Sequence, residues 1–159
     1  MSTTQANHHG PHQSTSWVLV VDDSVDSLDV VRIVLESRGH SVLTTSDPYE
    51  AIRMCRESDI SLLISDLILH SPITGTDLAL QSHELRPDAA ILLMSGTAPE
   101  GWPNADFEKL GRFLPVRADF LQKPFTSNQL LAKVDTLMKA TAPLPEFGTL
   151  IRDAERSRR

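Results

Sequence analysis

Five short apolar runs, separated by segments long enough for a helix and each followed by polar residues, restrict this chain to very few folds. The most constraining is Ile60-Ser61-Leu62-Leu63-Ile64-Ser65-Asp66, which stops abruptly on a carboxylate. An apolar run this short predicts a strand covered on both faces, as in a parallel sheet. Residues 17–21, 42–45, 89–94 and 118–121 read as its companions, the first rich in β-branched side chains that suit a pleated surface. Between the runs the period changes to that of a helix. Ser24 can cap a helix carrying Val25, Leu28, Val31 and Leu35 at helical spacing, and Gly39 can end it. Asp47-Pro48 opens a second helix with a capping carboxylate and a proline at the first position. Further helices are expected over roughly 76–85, 105–110 and 127–140. Strands alternating with crossover helices make an α/β fold, a doubly wound parallel sheet of five strands with helices on both faces.

At 159 residues the chain has room for one domain with its own core. A net charge of −6 argues against general nucleic-acid binding, which needs a basic surface. The single cysteine, Cys55, excludes an intrachain disulfide and a cysteine-rich zinc site. Its place on the inner face of the second helix, with Ala51 and Ile52, predicts a buried thiol. No apolar run reaches membrane-spanning length and no signal-peptide pattern opens the chain, so a cytoplasmic protein without membrane association is expected. Residues 1–16 read as a disordered polar leader, and their His8, His9 and His12 lack a matching ligand cluster elsewhere. Residues 17–140 read as the domain. Residues 141–159 read as a proline-containing tail whose closing arginines, Arg152, Arg156, Arg158 and Arg159, are expected in solvent.

In open sheets of this kind, reactive groups collect beyond the carboxyl ends of the strands. Here the first strand delivers Asp22 and Asp23, the third Asp66, the fourth Ser95 and the fifth Lys123. Carboxylates crowded at one rim raise one another's pKa values. A hard divalent cation relieves that repulsion, and oxygen-only ligands suit Mg²⁺. Such a cation also screens an incoming phosphate, with which the Lys123 ammonium can pair. Asp66, at the centre, then reads as a nucleophile for an aspartyl phosphate. Ser95 reads as a hydrogen-bond donor to a phosphoryl oxygen, with Gly96 leaving the backbone room to approach. Taken singly, an Asp after a strand is an ordinary cap or turn former. The weight lies in four strand ends contributing to one rim.

Val20-Val21-Asp22-Asp23-Ser24, Leu63-Ile64-Ser65-Asp66-Leu67, Leu93-Met94-Ser95-Gly96 and Phe120-Leu121-Gln122-Lys123-Pro124-Phe125 together resemble the receiver (response regulator) domains of two-component signalling, over residues 17–140. The resemblance implies a flavodoxin-like fold with strand order 2-1-3-4-5. It implies that Asp66 accepts a phosphoryl group from a histidine kinase or phosphotransfer protein. Asp23, Asp66 and the main-chain carbonyl of Ile68 would hold Mg²⁺, with Asp22 assisting through water. Ser95 would be the switch residue, Lys123 the family's lysine before a cis proline bond, and Phe120 the switch aromatic. Ser95 moving toward the phosphoryl group would let Phe120 turn inward and reshape the face of the fourth helix, fifth strand and fifth helix. That face would signal to a downstream protein partner, and the resemblance leaves room for a homodimer in the phosphorylated state. Such a module modifies itself and slowly loses the phosphoryl group, but turns over no outside substrate.

Three features depart from the family's pattern. The loop after Asp66 is one residue longer than the common form, with His70 where proline is frequent; a surface position is expected for it. The Ser95–Lys123 interval is also longer, around Trp102 and Pro103, and Trp102 is expected to pack locally. No DNA-binding or enzymatic output region is recognisable after the domain, so direct DNA binding is not expected. An aspartyl-nucleophile phosphatase would want an Asp-x-Asp pair after the first strand, where the acids here are adjacent. A nucleotide or flavin binder would want a glycine-rich phosphate loop, and none is present. The remaining alternative is a degenerate receiver that docks partners independently of phosphorylation.

Overall fold

The computed structural model describes residues 15–113, 117–142 and 144–159. In chain order it contains β1 (Trp17–Val21), α1 (Val25–Glu36), β2 (Ser41–Thr45), α2 (Pro48–Glu57), β3 (Ile60–Asp66) and α3 (Gly75–Leu85). There follow β4 (Ala90–Ser95), a single 3-10 turn (Pro99–Gly101), α4 (Asn104–Phe113), β5 (Ala118–Gln122), α5 (Ser127–Lys139) and α6 (Pro145–Arg156). The strands are all parallel, in the order β2-β1-β3-β4-β5. This is the doubly wound, flavodoxin-like sheet that the residue pattern and the resemblance lead one to expect.

Side chains alternate between the faces of a strand, and here both sets are apolar. Val18, Val20, Leu62, Ile64, Leu92 and Met94 face α1 and α5, which cover them with Leu28, Val31, Leu35, Leu130, Val134 and Leu137. The intervening Leu19, Val21 and Leu63 pack under α2 and α3. Ile91 and Leu93 lie in a third cluster with residues of α3, α4 and α6. Burying one such leucine stabilises the fold by about 1.5–3 kcal/mol. The strand ends that carry Asp22, Asp66 and Ser95 are therefore the rims of a rigid, close-packed layer.

Local chemistry starts and stops the helices. The side chains of Ser24 and Asp47 accept from Ser27 N and Tyr49 N at 3.3 and 2.9 Å, capping α1 and α2. Thr74 with Asp77 and Thr126 with Gln129 form capping boxes on α3 and α5. Past α1, Gly39 sits at φ +84°, a left-handed conformation that costs glycine little. Buried Thr76 donates to Asp106 at 2.5 Å and Lys109 pairs with Asp77 at 2.8 Å, fastening α4 to α3.

Two expectations change. The segment read as a proline-containing tail includes α6, whose Phe147, Ile151 and Ala154 are buried in the third cluster. Pro145 does not break the chain there; it occupies the first turn, where a missing N–H costs nothing. The fourth helix is longer than read, and the turn at Pro99–Gly101 takes up part of the preceding length. The leader falls largely outside the described residues, as do His8, His9 and His12.

Gly75 ties this architecture to the rim. A Cβ at that position would lie 2.0 Å from the Asp66 carbonyl oxygen and 2.7 Å from Leu67 Cα, both main-chain atoms. Gly75→Ala must therefore displace either α3 or the end of β3. We expect it to destabilise the protein by about 1–3 kcal/mol, the usual cost of overpacking, read as a lowered urea midpoint at unchanged m-value.

Candidate functional site

Three strands bring their ends together around one ammonium group. Asp22 follows β1, Asp66 closes β3, and Lys123 follows β5. Lys123 Nζ donates to Asp22 Oδ2 at 2.7 Å and to Asp66 Oδ2 at 3.1 Å. Its own N–H donates to the Ser95 carbonyl at 2.8 Å, so β4 holds the lysine's backbone in place. The Lys123–Pro124 bond is cis. Asp22 is almost enclosed, with 3% of its side chain exposed, and its second oxygen accepts from Ser24 N at 2.9 Å. Asp66 keeps 18% exposure, and its other oxygen accepts from Ile68 N at 3.4 Å. Of the two acids sharing the lysine, Asp66 is the one that solvent can reach.

The charges are unevenly compensated. Burial pushes the Asp66 carboxyl above the ordinary range and the Asp22 charge adds to this; the hydrogen bond and charge of Lys123 and the Ile68 N–H oppose it without prevailing. Burial also disfavours the Lys123 ammonium, yet its two carboxylates outweigh that and raise its pKa. The partners respond differently because the ammonium has two anions while Asp66 must share one cation. Two carboxylates thus share one ammonium at the rim.

Asp23 is engaged elsewhere. Its Oδ2 accepts from His70 N at 2.7 Å and lies 2.5 Å from His70 Nδ1. The His70 ring is 87% exposed, so it occupies the surface position expected of it and contacts a pocket acid as well. Among the described residues no group of three or more His, Cys, Asp or Glu side chains converges as a ready-made metal site. Asp22 and Asp66 converge on Lys123; Asp23 is turned toward the β3–α3 loop. A pocket contact is the less favoured reading of His70 from sequence, and the longer loop marks the place where it occurs.

Ser95 is buried, and its hydroxyl oxygen accepts from Thr97 N at 3.1 Å. Thr97 O in turn accepts from Trp102 Nε1 at 2.9 Å. The Trp102 ring packs locally, as expected, edge-on against Phe120 with centroids 5.0 Å apart. Phe120 is itself buried. Next to Lys123 a cavity of about 560 Å³ opens between α1 and the β5–α5 loop, lined among others by Asp26, Val30, Met94 and Phe125. Cys55 is buried as expected, remote from this rim, 3.6 Å from Ser82 Oγ.

Known proteins resemble this chain in sequence and in fold. The sequence profile described as "Response regulator receiver domain" matches residues 18–135. The aerobic respiration control protein ArcA of Escherichia coli is 30% identical over 131 residues, covering 82% of this chain and 51% of ArcA. Response regulator SaeR of Staphylococcus epidermidis is 23% identical over 121 residues, 76% of this chain and 49% of SaeR. The chain thus spans about half the length of the curated relatives it matches. Among solved structures, chemotaxis response regulator CheY4 of Vibrio cholerae superposes with a TM-score of 0.64 at 25% identity, over 78% of this chain and 99% of CheY4. A CheY-like receiver domain protein from Methanospirillum hungatei gives 0.66 at 22% identity, over 91% of this chain and 99% of that one, a likeness of fold. Profile, relatives and fold agree: this chain belongs to the response regulator receiver domain family.

Proposed function

We propose that Asp66 accepts a phosphoryl group from the phosphohistidine of a histidine kinase or phosphotransfer protein, and that a downstream protein partner reads the result. The observation that carries this reading is the shared Lys123 ammonium, with Asp66 the more accessible carboxylate of the pair, 18% exposed against 3% for Asp22. A carboxylate oxygen of Asp66 attacks phosphorus, the phosphorus–nitrogen bond breaks, and its electron pair stays on the donor's imidazole. Lys123, freed in part from Asp66, pairs with the new phosphoryl oxygens. Water later cleaves the acyl phosphate. The chain acts as a signalling module that modifies itself and turns over no outside substrate.

The chemistry of the donors suits Mg²⁺, since the rim offers hard oxygens and two carboxylates share the single Lys123 ammonium, although Asp23 must turn from the β3–α3 loop to join them. Asp22, Asp23, Asp66 and the Ile68 carbonyl would hold it, Asp23 sharing or releasing its contact with His70. When bound, the ion supplies charge neutralisation to the phosphoryl oxygens. Ser95 then turns its hydroxyl to the phosphoryl group, and Phe120 moves into the space vacated, altering the surface near α4, β5 and α5. A homodimer of the phosphorylated form is compatible with that change. Direct DNA contact is not proposed for this stretch, given its net charge of −6. Among the described residues no helix is long and apolar enough to cross a membrane, and we place the protein in the cytoplasm. The second reading, a degenerate receiver that docks partners without phosphorylation, is favoured by one observation: Asp23 is occupied by His70.

Incubation with acetyl phosphate and Mg²⁺ followed by intact mass measurement separates the two. A single phosphoryl adduct is expected, absent in Asp66→Asn; an unmodified wild-type protein would favour the docking-only reading. Ile68 and Thr97 offer no carboxylate or amide to orient an attacking water, so the adduct is expected to persist for minutes or longer. Loss within seconds would refute that.

The raised pKa of Asp66 adds a prediction about stability. A group whose folded pKa lies above its unfolded value, ordinarily about 3.9 for Asp, stabilises below that value. This contribution disappears as pH rises through the folded pKa. At neutral pH the Asp66 charge is therefore a cost. Asp66→Asn is expected to unfold at the same or a higher urea concentration than wild type at pH 7, with the gap closing in acid; a clear loss of stability at pH 7 would contradict the electrostatic assignment.

A further inference from the structure

The receiver profile ends within α5, yet the chain continues into α6, which packs back on the domain. It lies against the Pro99–Gly101 turn, α4 and β5. Its Phe147, Ile151 and Ala154, spaced i, i+4 and i+7, enter the cluster that holds Trp102, Phe107, Leu110 and Phe120. Beyond the helix, the Arg158 guanidinium lies 4.5 Å from the centre of the Phe107 ring and donates to the Glu100 carbonyl at 2.9 and 3.2 Å. The arginine expected in solvent is thus a clasp on α4 and on the turn before it.

Two features make this contact reversible in principle. The helix has 12 residues and no side-chain cap at its N-terminus, so it has little stability apart from its apolar seat. That seat includes Phe120, and it meets the acid rim through a short bonded chain. Ser95 Oγ accepts from Thr97 N, Thr97 O accepts from Trp102 Nε1, and the Trp102 ring abuts Phe120 and Phe107. A movement of Ser95 toward Asp66 pulls on the Thr97 backbone that holds the indole. A movement of Phe120 into the space behind Ser95 removes a ring from beneath α6.

We propose that α6 is a releasable strap, seated on the aromatic groove over β5 in the unmodified chain and let go when Asp66 is phosphorylated. This rests on the phosphoacceptor reading above. Release uncovers Trp102, Phe107 and Phe120, a groove shaped for an amphipathic helix because it already holds one. Linkage makes the coupling reciprocal: whatever loosens α6 favours the phosphorylated arrangement.

Hydrogen–deuterium exchange of the full chain, before and after acetyl phosphate with Mg²⁺, tests this when intact mass is recorded on the same samples. With the adduct present, amides of residues 145–156 are expected to exchange faster by about ten-fold or more, while β1 and β3 stay protected. Trp102→Phe keeps an aromatic ring in the groove but removes the indole N–H and its bond to Thr97 O; it is expected to form the adduct with α6 exchange little changed. Ile151→Asp, which unseats the helix, is expected to show fast α6 exchange without phosphate. An adduct that leaves wild-type α6 protected overturns the strap. Adduct-dependent exchange that survives unchanged in Trp102→Phe overturns the route through the indole. No adduct at all defeats the phosphoacceptor reading itself, and the coupling falls with it.

Discussion

One ammonium group serves two carboxylates. From the end of β5, Lys123 reaches Asp22 beyond β1 at 2.7 Å and Asp66 on β3 at 3.1 Å, and its backbone is pinned to Ser95 on β4. The nearer acid is almost fully enclosed and also accepts from Ser24 N; the farther one keeps contact with solvent and a raised pKa. This asymmetry depends on the sheet. Only a parallel, doubly wound arrangement puts the ends of β1, β3, β4 and β5 on one rim, and only packing on both faces holds them at hydrogen-bond distance. Gly75 completes the arrangement by letting α3 start against the Asp66 carbonyl.

Much of this is written locally in the sequence. Runs such as Leu62-Leu63-Ile64 and Ala90-Ile91-Leu92-Leu93-Met94 can satisfy their apolar side chains only when both faces of the sheet are covered, and both are. Ser24 and Asp47 cap where their neighbours' spacing says a helix begins. With the strands assigned, Asp22, Asp66, Ser95 and Lys123 fall at one rim with no further assumption, because the strand-end rule depends on chain direction alone.

What escaped prediction depends on tertiary contact. α6 opens on Pro145, which read as an interruption, and its helical spacing becomes meaningful only when β5 and α4 supply an apolar seat for Phe147 and Ile151. Arg158 looks like one of several solvated cations until Phe107 and the Glu100 carbonyl are placed beneath it. Asp23 and His70 are 47 residues apart, and their pairing follows from the course of an irregular loop that no period encodes. Two such contacts complete the structure around the rim and β5: an acid engaged by a loop histidine, and a C-terminal helix seated over β5.

Asp66 is the carboxylate of the rim proposed to take a phosphoryl group, being more accessible than Asp22 and unengaged by His70. Borohydride reduction of the phosphorylated chain converts the modified aspartyl residue to homoserine, which peptide sequencing by tandem mass spectrometry then locates. Homoserine is expected at position 66 and at neither 22 nor 23. Homoserine at Asp22 or Asp23, with Asp66 intact, would contradict it.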